Sequence, residues 1–152
     1  MKVFDTGAYV SELRTLCLAG HTVSCRVVGG SMAPFFADGR DTVVLHAPSK
    51  PPRRGDIVFY QRENGSFILH RIVHLRRDGT YDLVGDAQSV LEHGIRREQI
   101  FAVVTEAQRR GKWITPRTLV WRFFSVVWCA PLIIPLRPAL LSLWSILRKK
   151  RP

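Results

Sequence analysis

The sequence predicts a mainly β domain with antiparallel pairing, flanked by a short N-terminal helix and by a helical, apolar and basic C-terminal segment. Three observations predict this class. Between His21 and Glu106, short runs of β-type residues alternate with Gly, Pro, Asn and Asp. The dipeptides Asn64-Gly65 and Asp78-Gly79 favour tight turns between antiparallel neighbours. Before residue 20 apolar residues recur at helical spacing, and after Arg117 the chain becomes apolar again.

A short amphipathic helix is expected between Asp5, a residue type typical of N-caps, and Gly20, which is typical of a helix stop. The residues that carry its spacing are Tyr9, Val10, Leu13, Leu16 and Cys17. Such a stripe is typical of core or interface packing, with membrane contact as the alternative. Residues 1–20 contain no basic stretch followed by a long apolar run, so neither a signal peptide nor an N-terminal anchor is expected.

The β region is expected to hold six strands joined largely by tight turns. The predicted strands cover residues 22–28, 42–47, 56–60, 66–75, 80–84 and 99–104. The connections 60–67 and 75–81 contain the Asn-Gly and Asp-Gly dipeptides, so both are expected to be hairpins. No internal repeat and no glycine-rich phosphate loop is visible in the sequence.

Charge divides the chain into two parts. The 152 residues, 46% of them hydrophobic, suffice for one globular domain and an appendage. Residues 1–108 carry 13 Lys and Arg and all 12 Asp and Glu, whereas residues 109–152 carry 10 basic residues and no acidic one. We therefore expect a near-neutral domain over residues 1–108 and a basic apolar tail over residues 109–152.

The tail resembles a membrane-binding segment more than a nucleic-acid surface. Its cations alternate with large apolar groups, which suits anionic lipid headgroups. The arginine pairs of the β region lack the interleaved aromatic residues of a nucleic-acid surface, so membrane lipids, and no nucleic acid, are the expected partners. The apolar aromatic residues of the tail are Trp113, Trp121, Phe123, Phe124, Trp128 and Trp144.

The length of the apolar run bears on how the tail meets a membrane. Residues 123–136 form a stretch of fourteen uncharged residues, whereas a spanning helix needs about 17 to 25. Extending the run would place Arg137 in the bilayer at a cost of about 2.5 to 3.5 kcal/mol. The sequence favours a helical hairpin or in-plane segment, with a simple span as the alternative, and a membrane-associated β domain on the cytoplasmic face.

Neither the cysteines nor the histidines indicate a metal site, and no cofactor is expected. Three cysteines without a CxxC pair suit a reducing compartment. His70 and His74 share one face of a strand, but four strand residues span about 13 Å, too far for one zinc ion without a bulge.

A set of motifs in the β region carries the chemistry. Gly29-Gly30-Ser31 ends the first strand and continues into Met32-Ala33-Pro34, which can expose a serine on a sharp turn. Arg54-Gly55-Asp56-Ile57-Val58 follows, then His70-Arg71-Ile72-Val73 within a strand, and then Gly85-Asp86 in a turn. A serine in a glycine-rich turn is by itself typical of turns, so the motif order carries the inference.

The order SMxP, RGDIV, HRIV and GD resembles the signal peptidase I and LexA-type serine proteases. It is most similar to the histidine-using branch typified by archaeal and endoplasmic-reticulum signal peptidases. The resemblance covers about residues 23–104, and it implies that Ser31 is the nucleophile. Most bacterial members use lysine as the base, but here the corresponding position is His70, and Lys50 and Lys112 lie in other parts of the sequence. Histidine is neutral near pH 7 and can accept the serine proton.

The resemblance also implies residues that support this pair. Asp86, and Glu92 six residues later, occupy the acidic positions that orient a histidine base, and the sequence leaves open which one contacts His70. Glu92 replaces the aspartate of the relatives. The Ser31 N–H is the expected oxyanion donor, but the supporting hydroxyl of the relatives is replaced by Gly29. Either a second backbone N–H substitutes for it, with the Gly29-Gly30 turn as the candidate region, or the enzyme is slow.

These features predict a serine endopeptidase of the signal peptidase type. Its substrate is expected to be an extended segment of a precursor protein or peptide with small residues near the cut. Met32 and Pro34 are candidates for the substrate cleft, although packing is the ordinary role of such a methionine. Phe35 and Phe36 could line that cleft, meet a bilayer or belong to the core. The alternatives are a LexA-like module that cleaves itself and a catalytically inactive, membrane-anchored binding scaffold.

Overall fold

The computed structural model describes residues 6–149, and in this part of the chain one eight-stranded antiparallel sheet forms the centre of the molecule. The strands follow one another along the sheet in the order β1-β2-β7-β3-β4-β5-β6, and β8 pairs with β7. Their bounds are β1 Val23–Arg26, β2 Thr42–His46, β3 Ile57–Gln61, β4 Phe67–Leu75, β5 Tyr81–Val84, β6 Glu92–Ile95, β7 Ile100–Arg109 and β8 Lys112–Ile114. The mainly antiparallel β class predicted from the sequence is confirmed.

Helices stand at both ends of the described chain. Helix α1 covers Thr6–Leu18, α2 covers Leu119–Phe123 and continues as a π-helical turn over Phe124–Trp128, and α3 covers Arg137–Lys149 after a 3-10 turn at Ile134–Leu136. The predicted N-terminal helix is present, and Gly20 follows it with φ +88°, a conformation that suits glycine. The Asp5 cap lies outside the described residues.

The predicted hairpins set the register of the sheet. Asn64-Gly65 joins β3 to β4, and Asp78-Gly79 joins β4 to β5, as expected. All six predicted runs contain a strand, but β7 extends to Arg109. Strands β6 and β8 were not predicted. Strand β6 contains Gly94 and β8 has only three residues, so neither shows an apolar alternation. Both are held in the sheet by backbone pairing with their neighbours.

The two larger of three apolar clusters among the described residues lie on opposite faces of the sheet. The main cluster packs α1, one face of the strands and three aromatic residues of the C-terminal segment, namely Trp121, Phe124 and Trp128. Phe35 and Phe36 are fully buried in it, so core packing is the role that their positions support. The second cluster lies on the opposite face, so residues 57–60 of β3 are all buried. A strand covered on both faces is apolar without alternation.

The sheet and the main core both continue past residue 108. Strand β8 pairs with the end of β7, and Trp121 and Trp128 are buried beside the sheet. Arg137 is also fully buried, and its guanidinium donates to backbone oxygens of Trp128, Gly85 and Gln88. Within residues 6–149, no helix has both the length and the apolar character to span a bilayer.

Candidate active site

Ser31 lies in the turn that follows β1, and this turn is held at two points. Gly29 adopts φ +87°, and its N–H donates to the Asp38 carboxylate at 2.9 Å. The Ser31 carbonyl accepts a hydrogen bond from the Ala87 N–H at 2.8 Å. The serine, which is half-buried, is therefore tied directly to the turn that carries Gly85-Asp86.

Gly85 lies close to both the serine turn and the His70 side chain. A methyl group in place of its hydrogen would collide with the Ser31 carbonyl oxygen and would lie 3.1 Å from His70 Nε2. A side chain at position 85 would therefore have to displace the serine backbone, the imidazole or both. The absence of a side chain at Gly85 allows the Ser31 carbonyl oxygen and His70 Nε2 both to lie close to this position.

His70 projects from the middle of β4 into the second apolar cluster, and only 4% of it is exposed. In the β3–β4 register, Val58 pairs with His70, so Tyr60 and His70 lie diagonally on the same face of the sheet. The Tyr60 hydroxyl lies 3.3 Å from His70 Nδ1. Tyr60 was not among the sequence-predicted site residues, although the Asn64-Gly65 hairpin could have revealed the pairing.

Tyr60 connects the histidine to a charged pair. Its hydroxyl donates to the Glu92 carboxylate at 2.6 Å, and Arg62 binds both oxygens of that carboxylate at 2.8 Å. Burial raises the pKa of Glu92, but the hydrogen bonds from Arg62 and Tyr60 outweigh it and hold that pKa below its ordinary value. Burial and the neighbouring Glu92 carboxylate raise the pKa of Tyr60, so the phenol stays protonated.

This chain of contacts determines which nitrogen of His70 carries the proton. A phenol has one hydrogen to donate, and Tyr60 gives it to an ionised carboxylate that can only accept. The Tyr60 oxygen is therefore an acceptor towards His70, and Nδ1 is the protonated nitrogen. The lone pair is left on Nε2, the nitrogen that lies close to Gly85.

The surroundings of His70 also keep it neutral. Burial lowers its pKa from 6.5 to about 4, and the positive charge of Arg62 acts in the same direction. The charges of Glu92 and Asp86 oppose this effect but do not overcome it. At neutral pH the ring is therefore an uncharged base.

Asp86 has a different set of partners. It is fully buried and forms a two-pronged ion pair with Arg71, with N–O distances of 3.0 and 2.7 Å. Arg71 also donates to the Gly55 carbonyl and the Ser125 hydroxyl. Of the two acidic candidates, Glu92 is thus brought to His70 through Tyr60, while Asp86 binds the arginine next to the histidine in sequence. The catalytic role of each remains a prediction.

The backbone around Ser31 contains possible oxyanion donors. The Gly29 N–H is already used by Asp38, whereas the N–H groups of Gly30 and Ser31 have no acceptor among residues 6–149. Within the same part of the chain, no hydrogen bond joins the Ser31 hydroxyl to His70. Catalytic hydrogen bonds of this kind often tighten only when substrate is bound.

The predicted cleft residues lie in different environments. Met32 is 2% exposed and belongs to the main core, which supports a packing role, whereas Pro34 is half-buried. Beside His70, an open cleft of about 480 Å³ is lined by Arg62, Glu92 and residues 87–91. A contact of Met32 or Pro34 with substrate remains a prediction.

The C-terminal segment holds the turn at residues 85–88 through hydrogen bonds to its backbone, which the sequence did not reveal. The Trp128 indole donates to the Asp86 carbonyl at 2.8 Å, and Arg137 donates to the carbonyls of Gly85 and Gln88 at 3.0 Å. These bonds hold the backbone of the turn whose Ala87 N–H binds Ser31. No pattern in the sequence connects Arg137 with the carbonyls of Gly85 and Gln88, which lie about fifty residues earlier in the chain.

Comparison with known proteins finds a family match for this chain. The family model described as Peptidase S24-like matches residues 5–105, a stretch that contains Ser31, His70, Asp86 and Glu92. No curated protein and no solved structure matches the chain. The match covers about two thirds of the 152 residues, and the chain belongs to the Peptidase S24-like family.

Proposed function

We propose that this protein is a serine endopeptidase of the signal peptidase type, in which Ser31 is the nucleophile and His70 the general base. One observation carries the proposal. Tyr60 holds the proton of His70 on Nδ1, so the free Nε2 faces Gly85, a residue that the Ser31 carbonyl oxygen also approaches closely. Acyl transfer to a hydroxyl requires a neutral base within reach of the serine, and a buried neutral imidazole near the serine turn of a peptidase-family chain supports that role for His70.

The reaction follows from these positions. Nε2 of His70 accepts the hydroxyl proton as Ser31 Oγ bonds to the scissile carbonyl carbon. The Ser31 N–H and the Gly30 N–H are the candidate donors to the resulting oxyanion. The protonated imidazole then gives its proton to the leaving amine as the C–N bond breaks. Water then attacks the acyl carbon while Nε2 takes a proton from that water. The imidazolium returns this proton to Ser31 Oγ as the C–O bond to the serine breaks, and the acid product leaves.

Tyr60 and Glu92 act on the base rather than on the substrate. When Nε2 is protonated the ring carries a positive charge, and the Tyr60–Glu92 contact supplies a nearby negative charge that stabilises it. Arg62 holds the carboxylate in place with two hydrogen bonds. In this proposal the phenol occupies the position of the orienting group that the sequence assigned to Asp86 or Glu92.

The histidine-using branch, typified by archaeal and endoplasmic-reticulum signal peptidases, is the proposed subtype because His70 stands where most bacterial members have lysine. The proposed substrate is an extended segment of a precursor protein or peptide. The cleft beside His70 is lined by the irregular segment 87–91, which precedes edge strand β6, and it is open enough to receive such a segment.

The experiment does not require an identified substrate. The full chain is incubated with a complex mixture of peptides, and newly formed termini are identified by mass spectrometry. We expect Ser31→Ala and His70→Ala each to abolish the new termini, while Ser24→Ala and His21→Ala, which change exposed residues of the same types, retain them. Cleavage that survives Ser31→Ala would overturn the proposal, as would a wild-type protein that cleaves nothing.

Self-cleavage is the second outcome that this design separates. If the chain shortens itself at a rate that does not depend on its concentration, and leaves added peptides intact, it is a self-processing module. If neither the chain nor the peptides are cut, the protein is a binding scaffold with a peptidase fold.

A further inference from the structure

We propose that the C-terminal segment, residues 119–149, lies in the plane of a membrane and binds its anionic lipid surface through the outer face of the segment. This interaction is independent of the proposed peptidase activity. It is argued from the apolar residues that the segment leaves exposed and from the sign of the charges beside them.

The first half of the segment is apolar on two faces. Trp121, Phe124 and Trp128 are buried in the main core, but a second set of apolar residues points outward at spacings of four, three and one residues. The outward residues are Leu119, Phe123, Val126 and Val127. The apolar inner face explains how the segment packs. On the outer face the Phe123 ring contacts Phe124, but all four outward side chains remain at least 45% exposed among the described residues.

Helix α3 repeats this arrangement. Arg137 is buried at its start and Leu141 packs against the main core, while the other apolar side chains of the helix are mostly exposed. The exposed residues Leu140, Leu143, Trp144 and Leu147 follow the spacing i, i+3, i+4, i+7 of a single helix face. This face is a continuous apolar stripe along the helix, whereas isolated exposed apolar residues would need no explanation.

The charges around these stripes identify an anionic occupant. Residues 109–152 contain ten Lys and Arg and no Asp or Glu. Arg122, Arg148 and Lys149 are exposed beside the apolar residues, and the Arg148 guanidinium lies 4.6 Å from the centre of the Trp144 ring. Apolar residues that enter the acyl region and cations that remain among the headgroups are typical of an in-plane membrane helix.

The same charges disfavour a second copy of this chain as the occupant. Joining two outer faces would bring two sets of cations together without any acidic residue of this segment to neutralise them. An anionic bilayer supplies the negative charge as well as the apolar volume.

The test is sedimentation of the full protein with vesicles. We expect strong binding to phosphatidylcholine vesicles that contain about one quarter phosphatidylglycerol, weaker binding to phosphatidylcholine alone, and release as salt rises. The double variant Leu143→Glu/Leu147→Glu should bind the anionic vesicles at least about tenfold more weakly. Leu18→Glu is the matched control, because Leu18 is 56% exposed and Leu143 and Leu147 are each 55% exposed.

Three results would overturn the inference: no binding of the wild type, equal binding of the double variant and the wild type, or binding that Leu18→Glu weakens as much as the double variant. A dimer in solution that the double variant dissociates, with no vesicle binding, would identify a second copy as the occupant instead. Peptide cleavage in solution should be unchanged in the double variant, so failure of the membrane inference and failure of the proposed peptidase are distinguishable.

Discussion

The Tyr60 hydroxyl lies 3.3 Å from His70 Nδ1, and therefore a phenol, rather than a carboxylate, contacts the candidate base directly. Glu92 stands behind the phenol at 2.6 Å. The carboxylate of Asp86, in the turn that follows β5, is instead bound to Arg71 at 2.7 Å. The two acidic candidates thus have different partners, and their functions can be tested separately.

Removing the Tyr60 hydroxyl should slow the reaction without unfolding the protein. In Tyr60→Phe, the buried Nδ1–H of His70 loses its acceptor and the ring loses the group that orients it, so we expect kcat to fall by about tenfold or more with little change in KM. Kinetics on a peptide cleaved by the wild type measure this split. Tyr81→Phe is the control, because Tyr81 is buried in the same apolar cluster and its hydroxyl is not part of the His70 chain of contacts. A Tyr60→Phe enzyme with full kcat would show that the hydroxyl does not position the base.

The rate of hydrolysis should depend on the ionisation of His70. The neutral ring is the active base, and its pKa is lowered from 6.5 to about 4 by burial, so the rate should rise with pH through a limb near pH 4 and be level by neutral pH. The negative charge of Glu92 raises the pKa of His70, so Glu92→Gln should move this limb to lower pH. Profiles of kcat/KM against pH for the two proteins provide the measurement. A limb near 6.5 in the wild type would contradict the buried environment described for His70.

A side chain at Gly85 should disrupt the site directly. The Gly85→Ala methyl would collide with the Ser31 carbonyl and approach His70 Nε2, so we expect activity to fall by at least about tenfold and stability to fall by about 1 to 3 kcal/mol. Gly79→Ala separates the two effects: Gly79 has φ +84° in an open turn, so that variant should lose stability through backbone strain and keep its activity. Activity and urea unfolding are measured for both. Full activity in Gly85→Ala would contradict the close approach of the Ser31 carbonyl and His70 Nε2 to this position.

The ion pair between Arg71 and Asp86 should matter mainly for stability. Both side chains are fully buried, so Asp86→Asn leaves an uncompensated charge in the interior, and we expect a loss of about 3 to 5 kcal/mol in the free energy of unfolding. Glu63→Gln in the exposed Arg96–Glu63 pair is the comparison, since a surface pair contributes about 1 kcal/mol or less. Urea unfolding at neutral pH measures both. An Asp86→Asn protein of unchanged stability and strongly reduced kcat would instead make Asp86 the group that orients His70.

The sequence alone was sufficient for the class of fold and for the broad protein family, while the roles of Ser31 and His70 stay predictions. Apolar alternation and the Asn-Gly and Asp-Gly turns act over a few neighbouring residues, and they predicted the six main strands and two hairpins. The motif order around Ser31 and His70 indicated the signal peptidase I and LexA-type serine proteases, and the Peptidase S24-like match over residues 5–105 confirms this at the level of the family, whereas the histidine-using branch stays a prediction. These features are local, and local patterns are what a single sequence displays.

Contacts between distant parts of the chain were decided only by the tertiary structure. Packing placed Tyr60 between His70 and Glu92, paired Asp86 with Arg71, and buried Arg137 against the carbonyls of Gly85 and Gln88. Trp121 and Trp128 of the predicted tail also belong to the main core. The sequence did not reveal this, because a charge pattern does not show which apolar side chains contact a sheet. Hydrogen-bond partners depend on distances in the folded chain, and those distances are set by the packing of the whole molecule.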